Sequence, residues 1–167
     1  MPANNPKEMF VLLLSDVRRK TERSVDFYGE VSKLAEEPEI KEALEARSFV
    51  AKKSLEKIDE VFKLINQTPV ELSGKTEEVF VEDFRREVAE IKGPVVRRIF
   101  ILSKLMHLTH WRIGEYMALI AAADTTGNFG VGVLLESCLG DYLAFVERNR
   151  RILRKALEAR AAAKGAA

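Results

Sequence analysis

Apolar and polar positions recur along most of this chain with the period of an α-helix, not of a strand. After Pro6, the positions Phe10, Leu14, Val17, Thr21, Ser24, Tyr28, Val31 and Ala35 follow the four-three spacing of a helix that buries one stripe in a bundle. Glu36-Glu37-Pro38 interrupts the pattern. Proline disfavours a helical residue before it and lacks an N–H donor, yet suits the first turn of a new helix. A second helix is predicted from Glu39 to Asn66, with Ile40, Leu44, Ser48, Ala51, Leu55, Ile58, Phe62 and Ile65 inward. Gln67 to Lys75, with Pro69 and Gly74, reads as a loop. Thr76-Glu77-Glu78 then opens a shorter amphipathic helix carrying Val79, Phe80, Phe84, Val88 and Ile91, its acids near the positive end of the helix dipole.

Gly93-Pro94 is a stop-then-start signal. The third long helix, Pro94 to Asp124, keeps bundle spacing through Ile99, Leu102, Met106, Thr109, Ile113, Tyr116 and Ile120. Phe100, Ile101, Leu105 and Leu108 add a second apolar flank. A helix apolar on two sides must bury both, which predicts a central position or a dimer interface centred on Phe100 and Leu105. After the turn at Thr125-Thr126-Gly127-Asn128, a fourth long helix spans Phe129 to Ala162, with Val131, Leu135, Cys138, Tyr142, Phe145, Asn149 and Ile152 as its seam. The tail, Ala161 to Ala167, is expected to fray. The mid-helix glycines Gly114 and Gly140, and Gly130 and Gly132 near a helix start, are expected to permit close helix approach.

The prediction is therefore an all-α fold, a four-helix bundle forming one domain over residues 1–167, with a short extra helix in the crossover between helices two and three. The helix pairs one-two and three-four are tightly joined and should be antiparallel, and one long crossover is the ferritin-like arrangement.

Composition narrows the class. Of 167 residues, 47% are hydrophobic and 32% charged, with a formal net charge of +1. A nearly neutral chain has no strong global attraction for nucleic acid or acidic membrane, so neither is expected as a partner. Arg18-Arg19-Lys20 and Arg148-Asn149-Arg150-Arg151 read as solvated helix faces. The single cysteine, Cys138, sits on a seam and is expected to be inert, which points to a reducing compartment. The N-terminus lacks a signal-peptide pattern, and no apolar run approaches the ~20 residues of a membrane span. A cytoplasmic location is the expectation.

Candidate chemistry is sparse. His107 and His110 lie three apart on one helix face and, with Glu115 or Asp141, could bind one zinc-like ion. Two histidines without a third strong ligand form a weak site, and packing or surface histidines are the simpler reading. Gly127 to Gly132 has no preceding strand and no lysine, so it is not a phosphate loop. No catalytic residue and no cofactor is assigned.

Leu13-Leu14-Ser15-Asp16, Leu55-Glu56-Lys57-Ile58-Asp59-Glu60-Val61, His110-x-x-Ile113-x-x-Tyr116 followed by Leu119, and Leu134-Leu135 occur in this order along nearly the whole chain. With them the sequence resembles the YciE/YciF-like branch of the ferritin-like superfamily, small bacterial stress-associated proteins of unknown function. The resemblance implies a site for two metal ions at mid-bundle, held by carboxylates and histidines, because close hard cations need such ligands to offset their charge. This chain departs from that pattern. The first-helix glutamate position holds Thr21, and the second-helix Glu-x-x-His falls on Phe49 and Lys52. Thr109 and Arg112 flank His110 in place of glutamates, and Asp141 is the retained fourth-helix acid. The expected outcome is a degenerate site filled by a hydroxyl, apolar groups and an ion pair, with Lys52 pairing Asp141.

Two functions follow as expectations. One is a non-enzymatic structural or stress-associated interaction protein, a homodimer that has lost its di-metal site. The alternative is an iron- or other metal-binding protein acting in oxidative stress through a reduced site at His110, Asp141 and Glu115, with His107 nearby.

Overall fold

The structure is a computed structural model that describes residues 3–72 and 74–165, with side chains as far as Glu158. Five helices account for nearly all of it: α1 (Pro6–Leu34), α2 (Pro38–Leu64), α3 (Lys75–Glu90), α4 (Pro94–Thr125) and α5 (Phe129–Gly165). The punctuation is chemical. Asn5 caps α1 by accepting a hydrogen bond from the Glu8 amide at 2.9 Å, with Pro6 in the first turn. Pro38 and Pro94 open α2 and α4. Gly74, at φ 59°, supplies the left-handed turn before α3, one residue ahead of the predicted start. α5 continues past Ala162 to Gly165, and the rest of the tail, where fraying was expected, lies outside the described residues.

Cross-helix pairs fix the directions. Arg18 meets Asp59 at 2.6 Å and Ser48 donates to the Val25 carbonyl at 2.9 Å, so α1 and α2 are antiparallel. Lys57 with Asp141 (3.4 Å), Arg148 with Glu42 (3.2 Å) and Lys155 with Glu39 (3.3 Å) set α2 antiparallel to α5. Lys20 with Glu115 at mid-helix, and Arg98 with Glu37 in the turn that follows α1 at 3.1 Å, set α4 antiparallel to α1. Helices α2 and α4 are thus diagonal and parallel, which requires the connection between them to travel the length of the bundle.

Helix α3 lies within that crossover, over part of the α1–α4 groove. Its Arg85 and Glu78 pair with Glu30 and Arg23 of α1, each at 2.6 Å, and Glu87 meets Lys104 of α4 at 2.5 Å. Phe84 packs edge-on against Phe27 at 5.3 Å and stacks on Phe100 at 5.8 Å. This corrects the expected dimer interface. Leu105 is buried, and Phe100 is half-buried beneath α3, so the second apolar flank of α4 is satisfied within the chain.

The buried stripes of α1 and α5 are those the spacing predicts. In α2 the expected Ile40, Leu44, Ala51, Ile58 and Phe62 are buried, and in α4 the expected Leu102, Thr109 and Tyr116, but at the positions between them the stripe takes a neighbouring residue. The inward stripe of α2 passes through Ile40, Leu44, Arg47, Ala51, Ser54, Ile58 and Phe62. That of α4 passes through Leu102, Leu105, Thr109, Arg112, Tyr116, Leu119 and Ala123. Gly114, Gly130 and Gly140 face open space, so they do not serve close helix approach. By length and composition, α5 also carries a stretch apolar enough to cross a membrane, contrary to expectation. In this fold its seam packs into the bundle core through Val131, Leu135, Cys138, Tyr142 and Phe145.

Candidate functional site

The apolar core has two halves. One gathers Val31, Leu44, Phe84, Leu102 and Ile152, and the other Leu14, Ile58, Phe62, Leu119 and Leu135. Between them lies a polar layer to which all four long helices contribute: Thr21 and Ser24, Arg47 and Ser54, Thr109 and Arg112, with the rings of Tyr28, Tyr116 and Tyr142 bordering it. The helix spacing itself produces this layer, because hydroxyl and guanidinium side chains occupy the inward stripe at mid-length on each helix.

Two arginines dominate. Arg112 is 0% exposed and bonds Glu77 of α3, itself 3% exposed, and Glu115 at 3.0 Å. Lys20 joins the same network through Glu115 and through Asp16 at 2.5 Å. Burial pushes the Glu77 carboxyl above its ordinary range, against the pull of Arg112, Lys20, Arg19 and Arg23. Arg47 is 2% exposed and has no carboxylate beside it. Its guanidinium carbon stands 3.8 Å from the ring centre of Tyr142 and 5.6 Å from those of Tyr28 and Phe145, an aromatic cage for a cation.

The hydroxyls divide into two groups. Thr21, Ser24 and Thr109 donate to carbonyls one turn back on their own helices, at 2.8, 2.8 and 2.6 Å. The other buried hydroxyls meet side chains of the layer: Tyr116 and Tyr142 at Thr21, Tyr28 at Arg47 and Ser54 at Cys138. Burial raises the phenol pKa of Tyr116 well above the ordinary range, reinforced by neighbouring Tyr142, and raises that of Tyr142 likewise. Burial also pushes the Cys138 thiol up, as an inert seam cysteine requires.

The candidate ligands do not converge. His107 and His110 are exposed on the outer side of α4, and His110 Nδ1 donates to the Met106 carbonyl at 2.8 Å. Asp141 faces α2, on the opposite side of the bundle, and its partner is Lys57 rather than Lys52. Lys52 and Phe49 are exposed, so the second-helix metal positions do not fall on them, and the proposed Lys52–Asp141 pair is corrected. Glu115 belongs to the Lys20–Arg112 network. Among the described residues, no three His, Cys, Asp or Glu side chains are grouped to hold a metal ion. Sequence reasoning missed Arg47 and Glu77. The signal for Arg47 was its place on the four-three stripe of α2. Glu77 carried only the look of an acid complementing a helix dipole.

A bundle of four long helices with one diagonal crossover and a polar mid-layer is the ferritin-like class. Within it, the chain belongs to the family described as a domain of unknown function, DUF892, which matches residues 5–162. Its fold is that of the E. coli stress protein YciF, with a TM-score of 0.88 and 18% identity over 93% of this chain and 99% of that one. It is likewise similar to YcfI of Rhodopseudomonas palustris, provisionally described as a structural protein, with a TM-score of 0.84 and 18% identity over 88% and 94% of the two chains. No curated protein sequence matches the chain.

Proposed function

We propose that this protein is a metal-independent, non-enzymatic bundle with a structural or stress-associated role in the cytoplasm. One observation carries the reading: two guanidiniums occupy the mid-bundle layer where a ferritin-like protein would hold cations. A divalent ion beside Arg47 and Arg112 would meet like charge, at a separation where Coulomb energies in a partly desolvated layer reach several kcal/mol. The nearby carboxylates of Glu77 and Glu115 are already held by Arg112 and Lys20. The names given to the E. coli and R. palustris proteins agree with a structural or stress role.

Self-association into a homodimer is part of this reading. The exposed apolar side chains Met117, Phe129 and Val133, at 58, 69 and 64% exposure, offer surface for it in place of the covered Phe100–Leu105 flank.

The test is metal analysis by mass spectrometry after expression with iron and zinc supplements, and again after anaerobic ferrous loading. Metal far below one ion per chain is expected, with no ferric absorbance on exposure to air. A stoichiometric metal content overturns the reading. Light scattering on the same preparation is expected to give twice the 18.9 kDa chain mass.

A further inference from the structure

Arg47 is the buried cation of the polar layer that meets no carboxylate among the described residues. Its cage of Tyr142, Tyr28 and Phe145 offers ring faces, which attract a cation but accept no conventional hydrogen bond. A guanidinium has five N–H donors lying in its own plane. Among the described residues no carboxylate meets its nitrogens, and the Tyr28 hydroxyl is the hydrogen-bonding group beside them, although the residue is 2% exposed. The carboxylates near the layer are committed elsewhere: Glu77 and Glu115 to Arg112, Asp16 to Lys20, and Asp141 to Lys57.

The surroundings add donors. The hydroxyls of Tyr28, Tyr116 and Tyr142 are buried near Arg47, Tyr28 hydrogen-bonding at Arg47 itself and Tyr116 and Tyr142 at Thr21. The layer therefore brings together a buried guanidinium that no carboxylate of the described residues meets and phenol O–H groups able to donate. Each such donor costs about 1–3 kcal/mol if left unmade, and a charged one costs more. A metal cation is repelled here. A neutral acceptor would satisfy donors but leave the charge of Arg47 standing. An anion does both.

We propose that the bundle centre is a small-anion site, binding a halide-sized anion at the edge of the Arg47 guanidinium with the hydroxyls of Tyr28, Tyr142 and Tyr116 as further donors. A close-packed bundle interior leaves room for a small anion rather than a large one. The proposal deepens the metal-independent reading, and the two fail separately, since metal analysis reports one and bromine scattering the other.

The experiment uses the full chain. Crystals grown in sodium bromide are examined at the bromine absorption edge, and an anomalous peak within hydrogen-bonding range of the Arg47 nitrogens is expected. In solution, melting is compared at fixed ionic strength in sodium chloride, sodium bromide and sodium gluconate, whose anion is too large to enter. The Tm is expected to rise with halide concentration and not with gluconate, as for any ligand that binds only the folded state. Arg47→Met is expected to abolish the halide dependence. Should that variant fail to fold, Tyr142→Phe keeps the ring and removes one donor, and it is expected to weaken the dependence several-fold. Water density in place of the bromine peak, equal melting in gluconate and halide, or an unchanged halide dependence in Tyr142→Phe and Arg47→Met would each overturn the site.

Discussion

At the scale of single residues, the informative side chains are buried cations. Arg112 is fully enclosed and depends on Glu77, which arrives from α3, and on Glu115 one turn along its own helix. A buried ion pair is costly to form, yet removing one partner is costlier, because the other charge remains in a poor solvent. Arg112→Met is therefore expected to destabilise the fold by about 3–5 kcal/mol. Adding Glu77→Gln to that variant is expected to restore much of the loss, since no buried carboxylate is then left unpaired. Urea denaturation of both singles and the double closes the cycle. Strict additivity of the two substitutions would show that Glu77 and Arg112 do not share one buried interaction. The same residues show why the site was only partly legible. Arg112 stood out in sequence as a cation at a ligand position, but its partner lies 35 residues away in the crossover. Nothing in the local pattern of Thr76-Glu77-Glu78 separates a buried acid from one that complements a dipole.

At the scale of elements, helix existence and order were readable because proline, glycine and asparagine mark nearly every boundary. Registers were readable where the inward stripe is uncharged. The expected seam positions of α1 and α5 carry only apolar, hydroxyl, thiol and amide groups and are buried or half-buried, with Lys20 the one charge that α1 buries beside its seam among the described residues. In α2 and α4 the true stripe runs through Arg47 and Arg112. A reading that keeps charge outside takes the next residue at those positions, choosing Ser48 over Arg47 and Ile113 over Arg112, while Leu44, Ala51, Thr109 and Tyr116 fall where expected. The dimer flank failed for a related reason. Amphipathicity gave α3 one apolar face, but periodicity does not say which groove a crossover helix covers. The exposed glycines give a further prediction. A Cβ at Gly114 or Gly140 meets nothing within 4 Å, and both sit inside long helices. Alanine at each position is expected to stabilise the fold by about 0.5–1 kcal/mol, through helix propensity and a less flexible unfolded chain. The midpoint of urea unfolding should rise with each substitution and add in the pair, because the two sites lie on different helices. A fall at either position would mean that the glycine serves a contact outside the chain.

At the scale of the whole molecule, the polar layer joins two apolar halves, so its protonation state bears on the entire bundle. Tyr116 and Tyr142 pack at 5.4 Å between ring centres, and burial holds both phenols protonated above their ordinary range. In the unfolded chain a phenol ionises near about 10. The folded state thus retains protons that the unfolded state releases. By linkage, the stability these groups contribute is full below about 10 and is lost as pH rises above it, towards the raised folded values. The urea midpoint is therefore expected to stay level from neutral to mildly alkaline solution and then to fall steeply. Phenolate absorbance at 295 nm should show Tyr116 and Tyr142 ionising only as helical circular dichroism is lost. The double variant Tyr116→Phe, Tyr142→Phe should soften that alkaline fall, having no buried phenol left to deprotonate. If both phenols instead titrate near their ordinary value while the helices stay intact, water reaches the layer freely, and the layer cannot be the dry joint between the two halves of the core. A coincident loss of phenol protons and helix would show that the bundle opens as one cooperative unit through its charged centre.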